Sequence, residues 1–414
     1  MSLNTQILIA AILGVVFGFV LYLFPDSTFF SASLYGISLM SSIFIGLLKM
    51  LLIPLIFSSI VVGVSNLQAV GQLSRVWKIT LACSVTTTTL ALILGLACAH
   101  LFAVGKGVDI LMFQDAMAQH QTPDTLTPSS FFTNFIQNTL INPFKAFAEG
   151  NVLAVVIFAL LVGVALVKGG EHFKTVRKLS QQFFEIMMLM IGWVMKLAPL
   201  GIFALLAKLV ATEDISVLSR LAEFAAVVTG TTIFHGAVVL PLLLWIFGKM
   251  DPITFFKGTR AALITAFATS SSSATMPLSM KCAQENLGVR PQTAGFVIPL
   301  GTQLNMDGTA LYEAAAALFV ANLMGLDLSL GQQLIVCATA MIASLGAPGI
   351  PSAGMVTMIM VLQSVGLPAE AIAILLPIDR LLDTVRTVVN VQGDMMISVV
   401  VDRHTRNITN ESNA

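Results

Sequence analysis

Six long apolar stretches, near residues 7–24, 38–63, 79–104, 152–168, 184–207 and 222–247, constrain this chain more than any other feature. A helix of roughly 20 apolar residues crosses the ~30 Å hydrocarbon core of a bilayer, and these stretches approach or exceed that length. Charge is correspondingly scarce. Of 414 residues, 10% are charged and 57% hydrophobic, whereas an ordinary soluble domain carries about 25% charged residues. Such a chain cannot cover a water-facing surface, which excludes a soluble globular enzyme and a disordered chain. With Lys+Arg 21 and Asp+Glu 21 there is no basic surplus, which excludes nucleic acid as a partner. The chain reads as an all-α polytopic membrane protein, with room for roughly eight to ten spans.

The residues before the first stretch lack a basic n-region and a small-residue cleavage site, so that stretch reads as a retained first span. Orientation follows from Lys and Arg placement. With the N-terminus inside, cytoplasmic segments collect Arg75, Lys78, Lys168, Lys174, Arg177, Lys178, Lys249, Lys257, Arg260, Lys281, Arg290, Arg403 and Arg406. Outer segments hold only Lys106, Lys145, Lys208 and Arg220. This asymmetry predicts an even number of crossings with both termini cytoplasmic, provided that 255–290 and 330–365 each enter and leave on one side as re-entrant hairpins. A polar loop, about 105–135, separates the third and fourth spans. Cys83, Cys98, Cys282 and Cys337 have no paired spacing and read as small apolar residues. No metal motif is present, and the five histidines do not cluster.

The last third carries the chemistry. Non-helical backbone at membrane depth is tolerated only where protein or a wet cavity surrounds it. The serine run Ser270, Ser271, Ser272 and Ser273 marks the tip of one expected hairpin. Its half-helix N-terminus favours anionic groups. Gly346, Pro348, Gly349, Pro351 and Gly354 break the second and free carbonyls that could hold a cation. Each hairpin is followed by an apolar helix bearing Asn and Asp, a pairing that resembles an inverted repeat. The first of these helices contains Asn305, Asp307 and Thr309.

The final helix contains Asp379, Asp383, Arg386, Thr387, Asn390 and Asp394. At 100° per residue these six fall in one stripe roughly 100° wide. Four ionised groups at span depth could cost about 10 kcal/mol unless the stripe faces protein, water, ions or a ligand. Three Asp against one Arg leave an anionic surplus, which bound cations would neutralise. The stripe fits a zwitterion with an extra acid. Asp383 suits an ammonium, and Arg386 offers a bidentate fork to a carboxylate. Asn390 and a hairpin serine suit a second carboxylate. Asp394, Asp307, Asn305 and nearby carbonyls offer hard oxygens for Na⁺. Arg380 points about 100° from Asp379 and reads as snorkelling or pairing locally.

The strings Thr269–Pro277, Asn305–Tyr312, Ser344–Gly354 and Asp379–Asp394, with the segment 142–167, resemble the dicarboxylate/amino acid:cation symporter family over essentially the whole chain. That family includes archaeal aspartate transporters and mammalian excitatory amino acid transporters. The resemblance implies eight transmembrane helices plus two re-entrant hairpins, inverted repeats, and a homotrimer with scaffold and transport domains moving as an elevator. It implies a division into 1–250, mainly scaffold with parts of the transport domain; 251–400, the transport core; and 401–414, a cytoplasmic tail. The substrate would be glutamate or aspartate, driven by Na⁺, with H⁺ and K⁺ as further candidate ions. The setting would be a bacterial inner membrane.

Carried over by position, Asp383 would bind the substrate amino group with the Ser270 and Ile350 carbonyls, beside Ser271 and Thr387. Asn390 and Ser272 would hold the α-carboxylate; Arg386, Thr309 and the Gly354 amide would hold the side-chain carboxylate. One Na⁺ would use the carbonyls of Gly301, Asn305 and Asn390 with Asp394. A second would use the carbonyls of Gln303, Ser344, Leu345 and Ala347. A third would use Thr87, Thr88, Asn305, Asp307 and the Ser84 carbonyl. Ser84 stands where archaeal members carry Tyr, and Ser270 where they carry Arg. Glu313 stands where they carry Gln. Mammalian relatives have Glu there as the proposed proton carrier, so Glu313 is the expected proton-coupling residue. Arg386 argues against the family's neutral amino acid carriers, and Asp383 against its C4-dicarboxylate carriers. An ion channel would need a filter string repeated around an axis. An enzyme would need a nucleophile–base or metal constellation. Neither stands out.

Overall fold

The computed structural model describes residues 3–25, 28–65, 74–107, 140–149, 151–212, 216–346 and 353–411, and every regular element among them is helical. In order these are α1 (Leu3–Tyr22), α2 (Thr28–Ser65), α3 (Ser74–Leu101), α4 (Pro143–Glu149), α5 (Val152–Gly169), α6 (Lys174–Lys196), α7 (Ala198–Thr212) and α8 (Ser216–Phe234). Then follow α9 (Pro252–Thr269), α10 (Ser272–Glu285), α11 (Pro291–Leu304), α12 (Asp307–Leu323), α13 (Leu330–Gly346), α14 (Ala353–Ser364) and α15 (Ile372–Glu411). Most of the polar loop expected at 105–135 lies outside the described residues. Among the described residues, Val76–Leu101 and Leu218–Gly248 are long and apolar enough to cross a membrane by length and composition.

Apolar stretches and helices coincide with informative exceptions. The stretch 184–207 is not one helix: α6 and α7 meet at Leu197 with a 55° bend. Pro199 explains it, since it lacks an N–H and restricts the residue before it. Beyond α8 the chain stays helical, but through two wide π-type turns, His235–Val239 and Leu244–Gly248, that flank Leu240–Leu243. Pro241, which cannot donate to the ladder, sits between them. At the other end, α15 continues through Glu411, so most of the segment expected as a tail is helical.

Packing sorts the helices. α1 lies along α7, and α2 packs on α5, α6 and α7. Around α15 gather α3, α8, α9, α10, α11 and α12, while α13 and α14 pack on each other and on α12. The two sets meet where α7 touches α15 and where α13 and α14 touch α2. At the centre, every residue of α12 from Asp307 to Ala321 is buried, as expected of a helix apolar nearly all round.

A pair of packed helices stands at each expected hairpin. The first is α9 and α10 joined at Ser270 and Ser271. Ser270 takes the left-handed conformation at φ 49° and ends α9 by donating its N–H to Ala266 O. Ser271 is extended, and its hydroxyl accepts from the Ala274 N–H to start α10. The second hairpin is α13 and α14; its turn, 347–352, lies outside the described residues. The expected helix carrying Asn305, Asp307 and Thr309 is two helices. α11 stops at Leu304, Asn305 and Met306 leave helical geometry (φ −112° and −118°), and α12 starts at Asp307. The break is held rather than loose. The Asn390 side chain accepts from the Gly308 N–H at 2.8 Å, satisfying one of the first-turn donors that a helix start leaves open.

Candidate functional site

The polar stripe on α15 faces inward. Asp379, Asp383, Arg386, Thr387, Asn390 and Asp394 are each at most 5% exposed. Close backbone approach permits this. A Cβ on Gly308 would stand 2.8 Å from Arg386 Cα and from its carbonyl oxygen, so the first turn of α12 lies directly on α15.

One cluster centres on Arg386. Its Nη2 donates to Asp379 Oδ1 at 2.7 Å and to Asp383 Oδ1 at 3.1 Å. The guanidinium carbon lies 4.1 Å from the centre of the Tyr312 ring, within cation–π range. Among the described residues its Nε and Nη1 have no hydrogen-bond partner. Buried donors left this way are costly, and a carboxylate is the acceptor a guanidinium fits best. A Cβ on Gly354 would meet Thr309 Cγ2 at 3.2 Å and Arg386 Nη1 at 3.5 Å, so Gly354, Thr309 and Arg386 converge. Asn390 Nδ2 donates to Thr309 Oγ1 at 3.3 Å, joining a fourth expected residue. One turn along α12, the fully buried Glu313 accepts from the Thr357 hydroxyl through Oε1, while its Oε2 has no partner among the described residues. The same Thr357 hydroxyl lies 3.2 Å from the Gly354 carbonyl.

A second cluster forms at the α11–α12 break. The Thr88 hydroxyl donates to Asp307 Oδ1 at 2.7 Å. The Thr87 hydroxyl lies 3.1 Å from Asp307 Oδ1, 3.2 Å from Asn305 Oδ1 and 3.1 Å from the Ser84 carbonyl. Asn305 Nδ2 reaches Asp394 Oδ1 at 3.5 Å. Side chains beyond hydrogen would not fit here: a Cβ on Gly301 would run into the Asp394 carboxylate, and one on Gly393 into the Asn305 amide. Asp307 Oδ2 has a partner, His235 Nε2, at 3.2 Å. Asp394 is 1% exposed, and among the described residues no basic side chain forms an ion pair with it. A buried carboxylate without a counter-charge is relieved by a bound cation or by a proton. Hydroxyl, amide, carbonyl and carboxylate oxygens suit a hard ion such as Na⁺. Among the described residues there is no group of three His, Cys, Asp or Glu that could hold a metal.

A sequence profile of the sodium:dicarboxylate symporter family matches residues 3–404. The chain belongs to this family. Its relatives include the proton/sodium-glutamate symport protein of Geobacillus stearothermophilus, 31% identical over 97% of this chain and 94% of the relative. An excitatory amino acid transporter of Caenorhabditis elegans is 32% identical over 96% of this chain and 86% of the relative. The human neutral amino acid transporter A is 33% identical over 84% and 72%. Membership of a symporter family, together with the apolar helices, makes this a multi-pass membrane protein and places its chemistry in transport.

In this sodium:dicarboxylate symporter family member the structure brings the expected residues together unevenly. Thr309, Gly354, Asp383, Arg386 and Asn390 meet in the first cluster. Ser84, Thr87, Thr88, Gly301, Asn305, Asp307 and Asp394 meet in the second. Ser270, Ser271 and Ser272 are buried at the tip of the first hairpin, whose two arms pack on α15. Thr387 lies buried in the stripe. Gln303 lies in the last turn of α11, and Ser344 and Leu345 in the last turn of α13, which packs on α11. Ala347 and Ile350 lie outside the described residues. Sequence reading passed over His235 and Tyr312. A histidine inside an apolar stretch was the available signal for the first; the second was hidden in a matching string as an ordinary aromatic. Arg380, expected to snorkel or pair locally, does pair: its Nη1 donates to Asp383 Oδ2 at 3.4 Å.

Proposed function

We propose that this chain is a secondary active symporter for acidic amino acids, glutamate and aspartate, driven by Na⁺ and coupled to protons. The observation that carries the reading is Arg386. It is 1% exposed, fixed by Asp379 and Tyr312, and has two nitrogens without a partner among the described residues, beside Gly354 and Thr309. This geometry suits a substrate side-chain carboxylate. Asp383 takes the amino group, with the Ser270 and Ile350 carbonyls; Asn390 and Ser272 take the α-carboxylate. Three Na⁺ would use the sets built on Asp394, on the Gln303 and Ser344 carbonyls, and on Asp307. The names of the glutamate symporter and the excitatory amino acid transporter among its relatives support the same substrate class.

Protons would act through Glu313. A single Thr357 hydroxyl proton cannot serve both Glu313 and the Gly354 carbonyl. A protonated Glu313 would donate to Thr357, which could then donate to Gly354 O at the substrate cluster. Architecturally, we read eight crossings and two re-entrant hairpins in a homotrimer, both termini cytoplasmic in the plasma membrane. The helices around α15 would move as an elevator against those around α2.

The test is uptake by purified protein in liposomes, comparing glutamate with alanine. Arg386→Ala should lower glutamate uptake at least about 100-fold, the cost of removing one partner of a buried charge pair, and alanine uptake far less. Equal loss of both would contradict the assignment. Arg386→Lys, which keeps the charge and loses the fork, controls for damage from leaving Asp379 buried without its counter-ion.

A further inference from the structure

We propose that the slot between α3, α15 and the helical run after α8 binds one anionic phospholipid, with an acyl chain lying along the slot and the phosphate at Lys78. This is independent of the transport reading above and needs only a bilayer around the protein. The slot is a cavity of about 320 Å³. α3 lines it with Lys78, Ala82 and Thr86, and α15 with Met396, Val400 and His404. Both sets are spaced four residues apart, and such residues share one helix face, so the slot runs along the helix axes. Leu243 and Phe247, again four apart, form the third side.

Length and polarity fit an acyl chain. Lys78 and Thr87 mark the two ends of the slot on α3. At 1.5 Å per residue they stand about 13 Å apart, close to the depth of one leaflet in a hydrocarbon core ~30 Å thick. Met396 and Val400 are buried, whereas Phe247 is 50% exposed. Thr86 Oγ1 donates back to the Ala82 carbonyl at 2.7 Å, which satisfies its hydroxyl without a ligand. The slot ends at Thr87, whose hydroxyl belongs to the Asp307 cluster. An ion route to that cluster would need polar groups along its walls, and these walls are apolar between Lys78 and Thr87 apart from Cys83 and the self-satisfied Thr86.

Charge marks the other end. Lys78 is exposed there beside His404, whose Nδ1 donates to the Val400 carbonyl at 2.8 Å. A neighbouring cavity of about 340 Å³, on Gly248 and Val399, adds Lys249 and Arg403. The carboxylates around this end are engaged. Asp402 holds Arg290 at 2.7 Å, Asp251 accepts from Thr254, and Glu285 lies 4.0 Å from Lys281. An apolar slot of leaflet depth with a basic mouth matches a lipid that carries a tail and a net negative head. A choline headgroup would bring its own positive charge to Lys78, so the anionic lipid is favoured over the zwitterionic one.

The experiment titrates the purified chain in detergent with dioleoyl phosphatidylglycerol or dioleoyl phosphatidylcholine. Binding is read by native mass spectrometry, and its place by alkylation of Cys83, which lines the slot, with N-ethylmaleimide. Phosphatidylglycerol at ten times its Kd should slow Cys83 alkylation about tenfold by mass action and leave Cys337 unchanged. Lys78→Gln should weaken phosphatidylglycerol binding about fivefold, the usual worth of one lysine at an anionic lipid surface. Lys168→Gln, an exposed lysine at the end of α5, should not weaken it. Ala82→Phe, which fills the slot, should abolish binding; if that variant does not fold, Cys83 protection in the wild-type protein still decides. Phosphatidylcholine that binds as tightly, Cys83 alkylated equally fast with and without phosphatidylglycerol, or Lys78→Gln that binds no more weakly than Lys168→Gln overturns the proposal. Protection of Cys83 by inorganic phosphate alone also overturns it, since no acyl chain would then be needed. So does protection that rises with protein concentration in the absence of lipid, which would mean that a second copy covers the slot.

Discussion

At the residue scale, the site depends on what is absent as much as on what is present. Gly308 has no side chain because α15 passes too close, with Arg386 Cα and its carbonyl 2.8 Å from where a Cβ would be. Gly308→Ala should therefore destabilise the protein by about 1–3 kcal/mol, the usual range for overpacking, and weaken substrate and cation binding together. Thermal unfolding in detergent and Na⁺-dependent glutamate binding check this; a protein as stable and as tight as wild type would contradict the close packing. Glu313 gives a second residue-scale expectation. Glu313→Gln should make uptake insensitive to an imposed proton gradient while leaving it dependent on Na⁺. An unchanged response to the proton gradient would end its role as proton carrier. The charged stripe was legible in the sequence because charges are rare at span depth, so six polar residues within 100° of one helix face stand out. His235 was not legible. Its importance lies in reaching Asp307, 72 positions away, at 3.2 Å, and no local pattern records that distance.

At the element scale, the turn of the first hairpin was legible because serine caps helix in a way that follows from backbone chemistry. Ser271 starts α10 as a serine N-cap should. The break between α11 and α12 was less legible. Pro299 and Gly301 weaken that segment, but Asn305 and Met306 leave the helix because the Asn305 side chain is held across to Thr87 and Asp394. That is a tertiary cause, and it overrides a sequence that reads as one helix. The start of α9 makes a local prediction. Asp251, on the connection outside the crossing segments, accepts from the Thr254 N–H at 2.8 Å and from its hydroxyl at 3.0 Å. These bonds hold its carboxyl below the usual carboxylate range. Because the folded value is the lower one, the cap contributes fully above the ordinary Asp range and is lost as pH falls through the depressed value. Asp251→Ala should speed amide hydrogen exchange over the first turn of α9 at neutral pH and remove the acid dependence of that exchange. First-turn protection equal to wild type at neutral pH would contradict the capping role.

At the scale of the whole molecule, scarcity of charge identified a membrane protein, and the site within it followed from the few charges left inside. The helix count did not follow as directly. Two helices meet the length and composition of a span among the described residues, and the bent run 157–212 forms one further candidate. The packing of α3 and α8 on α15 was also out of reach of periodicity, because it brings Thr87, Thr88 and His235 to residues more than 70 positions away. The central claim is that these convergent residues couple amino acid movement to cations. Its most direct measurement is radiolabelled glutamate and aspartate uptake by proteoliposomes of the purified chain, with Na⁺, H⁺ and K⁺ gradients imposed separately. The account predicts accumulation above the external concentration under an inward Na⁺ gradient, and collapse of that accumulation when the gradient is dissipated. Equal flux with and without any cation gradient would contradict it.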